Sequence, residues 1–102
     1  MTAWRVAISP AEANRLRAWG PHARRLGLTD AFVGNLKILN WRLQSEPTDD
    51  WSESYLASID LEYRFGAQGF LAVAYAVHEA DRCVFVKRFH WLGPREQRPS
   101  EE

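Results

Sequence analysis

The stretch from Ile59 to Leu92, IDLEYRFGAQGFLAVAYAVHEADRCVFVKRFHWL, is three apolar runs divided by two turn signals. In the first run Ile59, Leu61, Tyr63 and Phe65 alternate with Asp60, Glu62 and Arg64, the period of a strand with one wet face. Gly66-Ala67-Gln68-Gly69 predicts a turn. Phe70 to Val77 is apolar on both sides, with Ala72, Ala74 and Ala76 opposite Leu71, Val73, Tyr75 and Val77, as a central strand requires. His78-Glu79-Ala80-Asp81 turns the chain again. The last run, Arg82 to Leu92, sets Cys83, Phe85, Phe89 and Trp91 on one face and Val84, Val86, Arg88 and His90 on the other. Lys87 falls among the aromatics, out of pattern. Short turns between consecutive strands make an antiparallel meander.

Upstream the period changes. Trp4, Val6 and Ile8 alternate as a short strand, and Ser9-Pro10-Ala11-Glu12 is a helix start, with Ser9 as N-cap, proline at the first helical position and Glu12 placed to close a capping box. Leu16 and Trp19 share a face of that helix, which Gly20-Pro21 is expected to interrupt, with a second short piece running to Gly27. Thr29-Asp30 caps the next helix, whose core stripe is Phe32, Leu36, Leu39 and Leu43. Pro47 ends it, and Thr48 to Glu53 reads as an acidic loop. The fold class is therefore α+β: an N-terminal strand, two helices, then a three-stranded antiparallel meander, forming one sheet. Its Ile59, Leu61, Tyr63 and Phe65 face should pack on the helix bearing Leu36, Leu39 and Leu43, since each apolar stripe needs a partner. Residues 1–92 form one domain and 93–102 a polar tail.

A composition of 46% hydrophobic and 13% aromatic residues excludes a disordered chain. No apolar run approaches the roughly 20 residues that span a bilayer, and the start Met1-Thr2-Ala3-Trp4-Arg5 lacks a signal-peptide pattern, which places the protein in the cytoplasm with no membrane partner. Cys83 is the single cysteine, and His22, His78 and His90 have no metal-ligand spacing, so no metal and no cofactor is expected. Net charge is zero but segregated: residues 1–45 hold seven Lys/Arg against two Asp/Glu, and residues 46–62 hold six acids and no base. Such segregation is either a solvated helix face or a basic docking surface on a neutral protein. The zero balance counts against RNA or DNA binding.

The order of elements is similar to that of the RelE/ParE toxin superfamily over about residues 3 to 92. Within it, Ala74-Tyr75-Ala76-Val77, a four-residue turn and a strand ending Arg88-Phe89-His90-Trp91 resemble the YoeB-type members, whose last strand carries a His-Tyr pair at the same distance from the central-strand tyrosine. The resemblance implies a toxin of a type II toxin-antitoxin system. Members of the YoeB type cut mRNA on the ribosome without a metal, as endoribonucleases that inhibit translation; ParE-type members act on DNA gyrase instead. It places His90 at the catalytic histidine and Trp91 at the following tyrosine, where an indole can stack on a base but cannot titrate. The family's central-strand arginine is replaced by Ala72, and the acidic base of the loop before the sheet corresponds loosely to Glu53. A cognate antitoxin is the implied partner, covering the basic helical half: Arg15, Arg17, Arg24, Arg25, Lys37 and Arg42.

The chemistry sets its own requirements. Metal-free RNA cleavage needs a group to take the 2′-hydroxyl proton, a cation for the phosphate and an acid for the leaving oxygen. Histidine titrates near neutrality, so His90 suits acid or base work. Arg88, two residues earlier, shares its strand face and can hold phosphate, and Arg64 on the wet face of the first strand would join them. Lys87 and Trp91 are assigned to nucleic-acid contact. The competing reading is a hydrogen-bonded strand histidine with two surface arginines paired to Asp60 and Glu62.

Overall fold

The computed structural model describes residues 3–94. Strand β1 (Arg5–Ala7) leads into helices α1 (Pro10–Arg25) and α2 (Thr29–Ser45), followed by strands β2 (Ser52–Ala57), β3 (Glu62–Gln68), β4 (Leu71–His78) and β5 (Cys83–Trp91). All five strands form one sheet in the order β1-β5-β4-β3-β2, with β1 parallel to β5 and every other pair antiparallel. α1 packs on β5 and α2 on β3 and β4, so one sheet face is covered and the other is left free of helices. The class is the expected α+β, but the meander has four strands rather than three. β2 escaped because SESYLA has no alternation to detect: Tyr55 and Leu56 are adjacent and the pairing with β3 shifts register between Ser54 and Leu56. The expected tail at 93–102 lies mostly outside the described residues.

Ser9 caps α1 as its sequence predicts, accepting from the Glu12 N–H at 3.3 Å. The capping box does not close. The Glu12 carboxylate turns inward, accepting from the backbone N–H of Phe89 at 2.8 Å and from Arg15 Nε at 3.3 Å. It thereby ties α1 to β5. Gly20-Pro21 does not interrupt the helix, which continues to Arg25; Pro21 is exposed and forfeits a single intrahelical bond. The stop is Gly27, whose φ of 72° allows the Leu28 N–H to reach Ala23 O and its own N–H to reach Arg24 O. Thr29 lies inside α2 rather than capping it, since Leu28 takes the cap position without a side-chain bond.

The core is the stripe Phe32, Leu39 and Leu43 against Leu71, Val73, Tyr75, Val77, Val84, Val86 and Phe89. Leu39 is 1% exposed, so Leu39→Ala should lower unfolding free energy by about 2–5 kcal/mol. Chemical denaturation checks this, and a loss well below about 1 kcal/mol would contradict the packing.

β3 faces the opposite way to that expected from its apolar alternation. Ile59 lies in the turn before β3 and is fully exposed, and Phe65 is 39% exposed, whereas Arg64 at 8% is buried on the helix side. Register explains it: Arg64 pairs with Tyr75 and Gly66 with Val73, and directly opposed residues share a face. Tyr63 and Phe65 therefore lie with Ala76 and Ala74 on the free face. What covers β3 on the helix side is the loop after α2: a Cβ on Gly66 would run into the Trp51 ring, so glycine makes room for the indole.

Candidate functional site

The free face is built by β3, β4 and β5. In β4 Tyr75 pairs with Val86 and Ala74 with Arg88, leaving Lys87 as the extra residue of a β-bulge. The bulge resets alternation. Val84 and Val86 before it, and Phe89 and Trp91 after it, all point to the helices, while Phe85, Lys87, Arg88 and His90 fall on the other side. This accounts for the misfit of Lys87 and corrects the expected grouping of Phe85 with Phe89. It also frees the Phe89 N–H for Glu12.

Three cross-strand rows define the surface: Tyr63, Ala76 and Phe85; Phe65, Ala74 and Arg88; Ala67, Ala72 and His90. The three alanines of β4 lie low between the larger side chains of β3 and β5, whose strands lie about 10 Å apart, and those side chains close over Ala72 and Ala76, which are buried. The His90 imidazole sits against Phe65 with ring centroids 5.6 Å apart, and Lys87 Nζ lies 6.0 Å from the Tyr63 ring centre. The result is a shallow trough with aromatic sides and three basic groups, Lys87, Arg88 and His90. A planar base can stack on the exposed rings of Phe65 or Phe85 at its rim, with the cations facing its phosphate.

The structure separates the other candidates from this trough. Glu53 pairs with Phe65, which puts it on the free face, but three strand spacings place it roughly 14 Å from Arg88. Arg64 is not on the wet face. Trp91 is on the helix side too, within an aromatic cluster: its centroid is 4.8 Å from Phe70, 4.8 Å from His22 and 5.9 Å from Trp19, and its Nε1 donates to Pro94 O at 2.9 Å. Its ring is a packing element. Among the described residues no group of three His, Cys, Asp or Glu is placed to hold a metal, and no helix is long and apolar enough to cross a membrane.

Arg64 instead centres a polar network that the sequence did not reveal. Nε donates to Ser52 Oγ at 2.9 Å, the terminal nitrogens to Ser52 O at 2.8 Å, Asp49 O at 3.0 Å and Glu62 Oε2 at 3.0 Å. The Tyr75 hydroxyl donates to Pro47 O, so the Ser52 hydroxyl, 2.6 Å away, must donate to Tyr75. Each hydroxyl accepts from one neighbour and donates to the next, which polarises the chain of bonds. Trp51 stacks on Tyr75 at 5.7 Å and 12°, and donates to Glu46 O at 2.7 Å. The whole arrangement secures the loop between α2 and β2.

Burial raises the Tyr75 pKa above its ordinary 10.0, outweighing the opposing Ser52 bond and the Arg64 charge. Above about pH 10 the unfolded chain therefore loses this proton first, so the contribution present below pH 10 is lost as pH climbs towards the folded-state value. Tyr75→Phe should cost about 1–3 kcal/mol at neutral pH, by leaving Pro47 O and Ser52 Oγ short of a partner, and should flatten the alkaline decline. Urea melts between about pH 8 and 11 test both parts.

On the covered side, Arg15, Arg17, Arg24, Arg25, Lys37 and Arg42 all lie on the two helices, as the sequence indicates. Arg15 is engaged by Glu12, Arg17 donates to Asn14 Oδ1 at 2.8 Å, and the Arg42 guanidinium lies 5.6 Å from the Trp51 ring centre. An apolar groove of about 290 Å³ opens between the helices, with Leu16, Leu36, Leu43 and Phe89 in its wall and the exposed Ile8, Lys37 and Asn40 at its mouth.

The sequence matches no protein-family profile and no curated relative. Among solved structures the fold is similar to a chain of the archaeal RelE-RelB complex from Pyrococcus horikoshii OT3, at a TM-score of 0.64 and 22% identity, over 91% of this chain and 98% of that one. The chain has a RelE-like fold.

Proposed function

We propose that this protein is the toxin-like member of a toxin-antitoxin pair and that it cuts mRNA on the ribosome. The observation that carries the reading is the convergence of His90, Arg88 and Lys87 on the helix-free trough beside Phe65 and Tyr63. In the proposed reaction His90 takes the proton from a 2′-hydroxyl. The oxygen attacks the adjacent phosphorus, the bond to the 5′ oxygen breaks, and a 2′,3′-cyclic phosphate and a 5′-hydroxyl result. Protonated His90 returns the proton to the leaving oxygen, Arg88 holds a non-bridging oxygen, and Lys87 contacts the neighbouring phosphate. No metal is needed. Arg64 and Trp91 take no part, and Glu53 is too far to share a proton with His90.

The second reading is a member that acts only through protein contacts, for instance on DNA gyrase. It is favoured by Ala72 opposite His90, where the resemblance leads one to seek an arginine, and by the burial of Arg64 away from the trough. Induced expression in bacteria separates the two. Arrested translation with cut message supports the nuclease, and altered supercoiling with intact message selects the gyrase reading.

The partner proposed for the basic helices is a small acidic antitoxin, in keeping with the RelE-RelB complex that shares the fold. A disordered segment that folds on binding needs apolar anchors, with charge acting chiefly on the encounter rate. The association rate should fall about tenfold or more between low and high salt, measured by stopped-flow with the product of the adjacent reading frame. A salt-independent rate would remove the electrostatic part.

A further inference from the structure

Two features of the surface have no counterpart within the chain. The first is the outer end of the β2–β3 hairpin, where Tyr55 is 58%, Leu56 59% and Ile59 101% exposed. Single exposed apolar residues are ordinary, but three of this size on one hairpin make a patch that seeks cover. The charges nearest the tip are the acids Asp60 and Glu62. No Lys or Arg occurs between Arg42 and Arg64, and exposed Asp49, Asp50 and Glu53 extend the acidic character to the far end of β2. The second is the apolar groove between the helices, with Lys37 at its mouth, in the half of the chain that carries seven bases against two acids.

We propose that the two fit each other in different copies: the tip of the hairpin, Leu56 and Ile59, docks into the helical groove of a second molecule. Charge favours this occupant. Zero net charge removes the overall repulsion between copies, and the segregated ends then attract head to tail. A symmetric pairing of two hairpins is disfavoured, since it brings acid against acid. The molecule measures 49 × 27 × 26 Å, and head-to-tail contacts do not close on themselves in pairs, so assembly continues into rings or short open chains. A hairpin tip in a groove buries less than a standard interface, which makes the contact weak and concentration-dependent. The contact needs no nuclease activity. It would compete with an antitoxin for the helical half, so that a bound partner dissolves the assembly.

Sedimentation of the full chain at about 10 to 500 μM tests it, in low and high salt. The expected result is an average mass that rises with concentration, with at least tenfold weaker association in high salt. Ile59→Lys and the double variant Lys37→Glu/Asn40→Asp change only exposed residues, so each should keep its melting temperature and sediment as a monomer. Mixed together they should regain one contact and stop at a dimer, because the first retains its groove and the second its tip. The proposal is overturned by wild-type protein that stays monomeric throughout, by assembly that both variants retain, or by a mixture that remains monomeric.

Discussion

His90→Ala should reduce message cleavage by about 10²- to 10⁴-fold, the usual contribution of a positioned acid-base group, while moving the melting temperature by no more than a few degrees. The dissociation of the two readouts follows from placement. His90 is half-buried on the helix-free face, in contact with Phe65 but outside the cluster of Leu39, Leu43, Val73 and Tyr75 that holds the sheet to the helices. Arg88 is exposed in the same row as Ala74 and Phe65, so Arg88→Ala should likewise spare stability and lower cleavage, through lost phosphate contact. Growth arrest that survives both substitutions would remove the trough from the mechanism.

Arg64→Leu should have the largest effect on folding, about 3–5 kcal/mol, which is a large share of the 5–15 kcal/mol that holds a typical domain together. The guanidinium satisfies Ser52 Oγ, two backbone carbonyls and Glu62 at once, and leucine leaves the buried oxygens of Ser52 short of a donor, whereas Asp49 O and Glu62 can turn to water. Arg64→Lys should recover little, since an ammonium cannot reproduce the planar fork. The loop carrying Pro47, Asp49 and Trp51 should lose hydrogen-exchange protection before the rest of the sheet. Cleavage per folded molecule should be unchanged, because Arg64 faces away from the trough; a specific loss of cleavage in a fully folded variant would restore it to the catalytic group.

The elements whose signals are local were readable in the sequence: the Ser9 cap, the Leu39 and Leu43 stripe, Pro47 as a helix stop, and the strands around Tyr63, Tyr75 and Phe89. What was not readable depends on partners distant in the chain. Alternation told that Arg64 and Phe65 face opposite ways, yet which way is set by pairing Arg64 with Tyr75, and an arginine with Ser52, Asp49 and Glu62 around it tolerates burial where a lone one would not. The bulge at Lys87 hides in a run that looks regular until Glu12 claims the Phe89 N–H. β2 is an exposed edge strand whose bulge erases its period. His90 and Arg88 share one face of β5, as their spacing of two residues predicts, whereas Trp91, adjacent in sequence, belongs to the core side by the same alternation.

The most direct test of the trough as a ribonuclease site is to add purified protein to ribosomes paused on a defined message and to map the RNA by primer extension. The account predicts a discrete cut within the ribosome-bound codon that needs no divalent metal beyond what the ribosome itself requires, yields a 2′,3′-cyclic phosphate end and is absent with His90→Ala. Intact message with folded wild-type protein, or an equal cut with His90→Ala, would contradict it.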